Sequence, residues 1–544
     1  MAKEGIAWGD LAGTGELQQK DIDELSKALE EKTAIKDSGE KTVVQDTGST
    51  STGKEAEAAA AAPKEEGAED KGKAEAAADD ENHVEKAVEK EDLAARIARE
   101  RGGLDEAVHE DADVYIKHSD GNPAGMAEVK SFEDLQMKPE LLKAVYTSNF
   151  NKPSPIQAKT LPISFTGKNI IAEAPSGTGK TVTFTLTVLQ RIETGKKVPQ
   201  AVIVAPTQEL AGSIEKTVSA YASLANITTT LVVKDTPVSN VSAQVIVGTP
   251  GKLLDSFGSR RAKFKIRTDN ISLFVLDEAD QMLDRHGLGD QTKRLYKLCR
   301  NVKQIVLTSA TYNNRVRTFA EEDFVPKPWS LVKVVPKTTK DEDRDRDGRY
   351  RVPKNIQHFV LLVQNEAEKF KALGDIYGYI NIGQSFVFGN TQRIVHTIGQ
   401  KMVDDGHKVA VLSGRLQASE RKQVYEMFST NQIKVCVATN VGARGLDVPN
   451  CTVVVNYDLP RKASNEDGVV DVVTYVHRVG RTGRYGRHGI AFNLIHDEQS
   501  KHDLMTILKS CVKTDGTPIE PEVWRYDQLD QLADRIEKLA EQEN

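Results

Sequence analysis

Cysteine is scarce in this chain of 544 residues, and the four that exist, Cys299, Cys436, Cys451 and Cys511, stand far apart with no CxxC spacing. That pattern argues against a zinc site or a disulfide framework and suits a reducing compartment. Long apolar runs are missing too. No stretch approaches the roughly 18 apolar residues of a membrane span, and the opening MAKEGIAWGD lacks the apolar core of a secretory signal. A soluble, intracellular protein is expected. Hydrophobic residues still make up 39%, enough for real cores, and the length implies roughly two to four domains.

Positive charge is short only at the beginning. Residues 1–120 hold 16 Lys and Arg against 32 Asp and Glu, which leaves 57 against 48 for the remainder, so a formal charge of −7 hides an acidic extension on a basic body. A basic body suits a polyanionic partner, and the extension either competes for that site or only aids solubility. Between about residues 33 and 90 large apolar residues are nearly absent, so the segment cannot bury enough surface to offset its ordering entropy and residues 1–120 are expected to be a disordered acidic extension. Two short helical patterns flank that stretch, KDIDELSKALEEK and EDLAARIARERGG, each either a docking helix or a fraying, solvated one.

From residue 130 short β-branched runs alternate with amphipathic stretches. NIIAEA, QAVIVAP, SAQVIVGT, LFVLDEA and KQIVLTSAT read as buried strands, and after a charged stretch the pattern resumes in QSFVFGNT, HKVAVLSG, IKVCVATN, CTVVVNYD and GIAFNLIH. Near-continuous apolar strands separated by helices describe parallel sheets covered on both faces. The expected architecture is α/β, with one lobe over 130–335, a charged linker over 336–354, a second lobe over 355–525 and a helical tail over 526–544.

In NIIAEAPSGTGKTVTF a strand runs into a glycine loop and then a helix. The loop Ala174, Pro175, Ser176, Gly177, Thr178, Gly179 and Lys180 is the candidate phosphate cradle, in which Gly177 and Gly179 let backbone N–H groups converge on phosphate oxygens, Lys180 neutralises the outer phosphates and the Thr181 hydroxyl is available to magnesium. Ala174 replaces the glycine of the strict Walker pattern. In FVLDEADQMLD an apolar strand ends on three carboxylates, which need a cation. Asp277, at the strand end beside the loop, is placed to hold magnesium on the nucleotide, and Glu278 to orient or deprotonate the attacking water. Asp280 suits pairing better than metal binding.

APSGTGKT, DEAD, SAT (Ser309 to Thr311), ARGLD and HRVGRTGR, in that order, resemble the DEAD-box RNA helicases from about residue 130 to 515. The resemblance implies two RecA-like lobes that close on ATP and magnesium. It assigns Gln157 to the adenine edge, Phe132 or Phe150 to its ring, Asp447 to the ribose, Arg481 and Arg484 to the arginine fingers and His477 to the γ-phosphate network. An amide offers both a donor and an acceptor to adenine, which favours ATP over GTP. Ser309 and Thr311 are implied to couple hydrolysis to RNA through Asp280. Single-stranded RNA, read without regard to sequence, is implied on Pro206, Thr207, Gln208, Thr249, Pro250, Gly251 and Lys252 in lobe one and on Thr391, Gly414, Thr439 and Arg444 in lobe two.

Several positions depart from the family pattern. PTQEL and TPGK stand for PTREL and TPGR, the Gly-Gly pair between them is missing, and Ala418 replaces a glutamine. DIYGYINIGQSFVFGNT, the extended loop from Arg461 to Val472, and HDEQS resemble the helicases of mRNA export. That likeness implies a monomer in cytoplasm and nucleus, enriched at the cytoplasmic face of the nuclear pore. Its implied partners are messenger ribonucleoprotein, an inositol-hexakisphosphate-dependent activator and a cytoplasmic-side nucleoporin, with DLAARIARERGG a candidate autoinhibitory helix. The alternatives are a relative acting in translation or ribosome biogenesis, or an RNA clamp with weak turnover.

Overall fold

The computed structural model describes residues 112–121, 129–148, 150–258, 265–284, 287–312, 314–339, 348–380, 382–414, 416–440, 448, 450–462, 469–483 and 487–541. The two flanking helical patterns and residues 340–347 of the charged linker lie outside them. Among the described residues, no helix is long and apolar enough to cross a membrane.

Lobe one is built on eight strands: β1 (Ala112–His118), β2 (Asn169–Glu173), β3 (Ala201–Val204), β4 (Thr229–Val232), β5 (Val245–Gly248), β6 (Leu273–Asp277), β7 (Gln304–Ser309) and β8 (Trp329–Pro336). They run in the order β1-β8-β2-β7-β6-β3-β5-β4, parallel except for β1 against β8. Alternate residues feed two cores. Ile170, Ala172, Leu273 and Val275 face one, while Ile171, Phe274, Leu276 and Leu307 face the other, which is why these strands are apolar on consecutive positions. Each such buried Ile, Val, Leu or Phe contributes about 1.5–3 kcal/mol. The helices that matter for the site are α1 (Pro155–Phe165), α2 (Lys180–Arg191), α3 (Gln208–Leu224), α4 (Pro250–Gly258) and α5 (Ala279–Leu283).

Lobe two repeats the plan with β9 (Tyr350–Val352), β10 (Ile356–Leu362), β11 (Gln384–Phe388), β12 (Val409–Leu412), β13 (Val435–Ala438), β14 (Cys451–Asn456), β15 (Gly489–Ile495), β16 (Cys511–Lys513) and β17 (Glu522–Arg525). Seven of them form a parallel sheet in the order β12-β13-β11-β14-β15-β10-β17, and β16 pairs separately with β9. Its functional helices are α6 (Gln392–Asp404), α7 (Ala418–Ser429) and α8 (Val472–Val479), and α9 (Leu529–Glu541) closes the chain.

The structure corrects three boundaries. Residues 112–118, expected within the disordered extension, form β1 and pair with β8 from Ala112↔Pro336 to His118↔Ser330. Val114 is buried in the core and Ile116 packs against it, so alternation of apolar and polar residues makes ADVYIKH a usable edge strand. Residues 350–352, expected in the linker, belong to lobe two through β16. Residues 529–541 are helical as expected, but they are no separate tail: Leu529, Leu532, Ala533 and Ile536 are buried in a lobe-two core. An amphipathic helix has no stability alone and takes the nearest apolar face.

Candidate functional site

The phosphate loop follows β2 at the C-terminal edge of the lobe-one sheet. Gly177 and Gly179 take positive φ, 81° and 91°, so the backbone turns tightly there at no steric cost. Gly179 caps α2. A Cβ at Gly179 would meet Gln157 Nε2 at 2.6 Å, so only glycine fits between the loop and α1. Lys180 Nζ donates to the carbonyls of Ala174 and Pro175, the Thr178 hydroxyl donates to Pro175, and the Ser154 hydroxyl donates to the Thr178 carbonyl. Ala174 is buried, and its N–H bonds the Ser309 carbonyl.

Gln157 is 1% exposed, and its amide already ties α1 to the loop. Its oxygen accepts from Ser154 N–H at 2.9 Å and its nitrogen donates toward the Gly179 carbonyl at 3.4 Å. One lone pair and one N–H remain for a ligand. Phe132 is wholly enclosed, edge-on to Tyr146, so of the two aromatic candidates only Phe150 keeps accessible surface.

Strands β2, β7 and β6 are adjacent, which brings the loop, Ser309 and the carboxylates side by side. Both hydrogen bonds to Asp277 fall on Oδ1, one from the Thr308 hydroxyl at 2.8 Å and one from Glu278 N–H at 3.0 Å, leaving Oδ2 for a cation. Burial, and then the neighbouring Glu278, push the Asp277 carboxyl up to about 6. Glu278 occupies the left-handed region at φ 50°, ψ 52°, a turn that swings its side chain out of the strand line as α5 begins. Asp280 is buried and accepts from both coupling hydroxyls, Ser309 at 2.9 Å on Oδ1 and Thr311 at 2.8 Å on Oδ2. Burial raises its pKa, against the lowering effect of His477 and the two hydroxyls.

Lobe two closes on this edge. His477 Nε2, on α8, lies 3.6 Å from Glu278 and 3.8 Å from Asp280. A Cβ on Gly480 would stand 3.4 Å from the Ser176 hydroxyl of the phosphate loop. Arg481, buried one residue later, donates from Nε to the His477 carbonyl at 3.1 Å. A second bridge that the sequence reading missed joins α7 to α3, where Arg421 Nε meets Glu209 at 3.0 Å and Lys216 lies over the Tyr425 ring. No local signal could pair residues 212 positions apart. Thr308 was missed too, although a hydroxyl directly before Ser309 was a signal that could have found it.

The polynucleotide candidates also follow parallel strand ends. Pro206, Thr207 and Gln208 follow β3, Thr207 capping α3 by accepting from Leu210 N–H. Thr249 follows β5, and Pro250, Gly251 and Lys252 open α4. In lobe two, Thr391 caps α6, Gly414 follows β12, and Thr439 follows β13. The strands behind each lobe's candidates are neighbours, β3-β5 in one sheet and β12-β13-β11 in the other. Arg444, Asp447 and Arg484 lie outside the described residues.

Two parallel-sheet lobes with a glycine phosphate loop on one and a histidine-bearing helix closing over its carboxylates define a two-lobe P-loop nucleotide hydrolase. The chain belongs to the DEAD/DEAH box helicases. That family's model matches residues 154–319, and the model of the helicase conserved C-terminal domain matches residues 368–486. The chain is 37% identical over 414 residues to the ATP-dependent RNA helicase DBP5 of Scheffersomyces stipitis, covering 75% of this chain and 78% of that relative. Solved S. cerevisiae Dbp5 bound to RNA and ADP BeF3 is 38% identical with a TM-score of 0.67, over 76% of this chain and 99% of that one. A Dbp5 variant bound to Nup159, Gle1, IP6 and ADP is 36% identical with a TM-score of 0.51, over 74% and 100%.

Proposed function

We infer that this protein is an ATP-dependent RNA helicase that remodels RNA–protein complexes in mRNA export, acting as a monomer between nucleus and cytoplasm at the cytoplasmic face of the nuclear pore. The observation that carries the enzymatic reading is the approach of His477 to Glu278 and Asp280, because it makes one reaction centre from two lobes. The export role is supported by similarity to Dbp5, solved with RNA and, as a variant, with Nup159, Gle1 and IP6. By that similarity the partners are messenger ribonucleoprotein, an inositol-hexakisphosphate-dependent activator and a cytoplasmic-side nucleoporin.

ATP enters on the phosphate loop, with Lys180 releasing the loop carbonyls for the outer phosphates and Gln157 using its remaining lone pair and N–H on the adenine edge. Asp277 Oδ2 and the Thr181 hydroxyl form an all-oxygen donor pair that fits magnesium, and a cation there relieves the buried carboxylate. Magnesium, when bound, screens charge on the β- and γ-phosphates. Glu278 orients a water for attack on the γ-phosphorus and takes its proton, while Arg481 and Arg484 stabilise the charge that spreads over the transferring phosphoryl group. Ser309 and Thr311, both bonded to Asp280, report the state of that centre to the polynucleotide face. Hydroxyls and backbone N–H groups of Thr249, Gly251, Thr391, Gly414 and Thr439 bind phosphate and 2′-OH.

The test is phosphate release with no polynucleotide, with single-stranded RNA and with DNA of equal length. Stimulation by RNA alone is expected. No stimulation removes the RNA reading, and equal stimulation by DNA removes the 2′-OH argument.

A further inference from the structure

Arg478 sits between His477 and the arginine-finger position, yet its guanidinium bonds Asn440, Asn456, Asp458 and Asn390, all within lobe two. It is 2% exposed, and its guanidinium fork is divided among three loops of lobe two. Nε donates to Asn440 Oδ1 at 2.7 Å, at the end of β13. One terminal nitrogen donates to Asn456 Oδ1 at 3.2 Å and to the Asp458 carbonyl, both at the end of β14, and the other donates to Asn390 Oδ1 at 3.1 Å, just after β11. Its carbon lies 5.0 Å from the centre of the Phe388 ring. The residues it grips are themselves tied together, since Asp458 accepts from Asn390 N–H at 3.0 Å and from Lys369 Nζ at 2.9 Å. Asn390 and Asn440 are the chain neighbours of Thr391 and Thr439, both polynucleotide candidates. His477 and Arg481 of the nucleotide centre lie on the helix from which Arg478 extends, or just past its end.

We propose that Arg478 is a positioning residue that couples the polynucleotide face of lobe two to its nucleotide face, holding the loops after β11 and β13 in fixed register with the helix that presents His477 and Arg481. A planar fork can satisfy these four oxygens on three loops at set angles, whereas a lysine ammonium is a point charge on a flexible stem with three donors and cannot reach all four. A shift of either loop is thereby transmitted to α8, and the reverse. The inference rests on the helicase reading above.

The experiment uses the full-length protein and reads ATP turnover against single-stranded RNA concentration, with the melting temperature measured in parallel. Arg478→Lys is expected to raise the RNA concentration for half-maximal turnover at least tenfold and to lower kcat at saturating RNA at least tenfold. Asn390→Ala and Asn440→Ala each cut one arm and are expected to raise half-saturation about threefold or more while kcat stays within twofold. The proposal is overturned if folded Arg478→Lys keeps wild-type half-saturation, whether or not kcat falls. Should Arg478→Lys fail to fold, the two asparagine variants decide, and unchanged half-saturation in both overturns it. If wild-type protein shows no RNA stimulation, the helicase reading itself fails. Wild-type stimulation beside an unaffected Arg478→Lys removes only this coupling.

Discussion

Asp277 carries both of its hydrogen bonds on one carboxylate oxygen and stands in a site where burial favours the neutral acid, so it gains most from a cation and from the Lys180 ammonium. Removing that ammonium leaves the outer phosphates facing carboxylates. Lys180→Ala is therefore expected to cut ATP turnover at least a hundredfold in a phosphate-release assay. The two hydroxyls on Asp280 act differently, because both donate to that carboxylate. A Ser309→Ala and Thr311→Ala double variant is expected to retain ATP binding but lose RNA stimulation at least tenfold. Equal loss of nucleotide affinity would place these residues in ATP binding instead. Residue identities at these positions were legible in the sequence as motifs. What the motifs did not display was Thr308 on Asp277 and the amide of Gln157 engaged by the loop, because each depends on a contact between strands or helices far apart in sequence.

At the scale of elements, parallel strands buried on both faces explain why NIIAEA, LFVLDEA and KQIVLTSAT could be read directly from their apolar runs. The strands that escaped notice lie mainly at sheet edges or in the small β9–β16 pair, where β1, β9, β16 and β17 are short or half polar and owe their pairing to a neighbour. One interior strand carries a pH-dependent contribution. His358 on β10 is 2% exposed, and burial, with a smaller effect from Lys513, lowers its pKa from 6.5 to about 3. The unfolded chain takes up a proton near pH 6.5 and the folded chain does not, so this contribution is complete above pH 6.5 and is lost as pH falls toward 3. By pH 5 the loss is about 2 kcal/mol. Thermal unfolding of lobe two from pH 8 to pH 5 should show a falling midpoint, and His358→Gln should flatten that slope. A slope unchanged by the substitution would assign the acid sensitivity to other groups.

At the scale of the whole molecule, the proposed mechanism requires the two lobes to close. Glu209 and Arg421 are half-buried and span the two lobes, so their pairing exists only when the lobes meet. A double-mutant cycle with Glu209→Gln and Arg421→Gln, read as ATP-dependent RNA affinity, is expected to give a coupling of about 1 kcal/mol that shrinks with salt. Additive effects would mean that the bridge contributes nothing to closure. The acidic extension is tested by truncation, and β1 sets where the cut belongs. Deleting residues 1–111 keeps the strand that pairs with β8, whereas deleting 1–120 removes it. An autoinhibitory extension predicts raised RNA-free ATP turnover after the shorter deletion, and unchanged turnover removes that role.

By itself the sequence determined the fold class, the family, the phosphate loop and the acidic strand end, since glycine spacing, apolar runs and carboxylates at a strand terminus are local patterns with local physical causes. Tertiary structure decided what those patterns could not contain: the pairing of β1 with β8, the docking of α9 into lobe two, the division of Arg478 among three loops, and the meeting of His477 with Glu278 and Asp280. Each of these joins residues tens to hundreds of positions apart, and only packing and closure bring such groups within a few ångströms of one another.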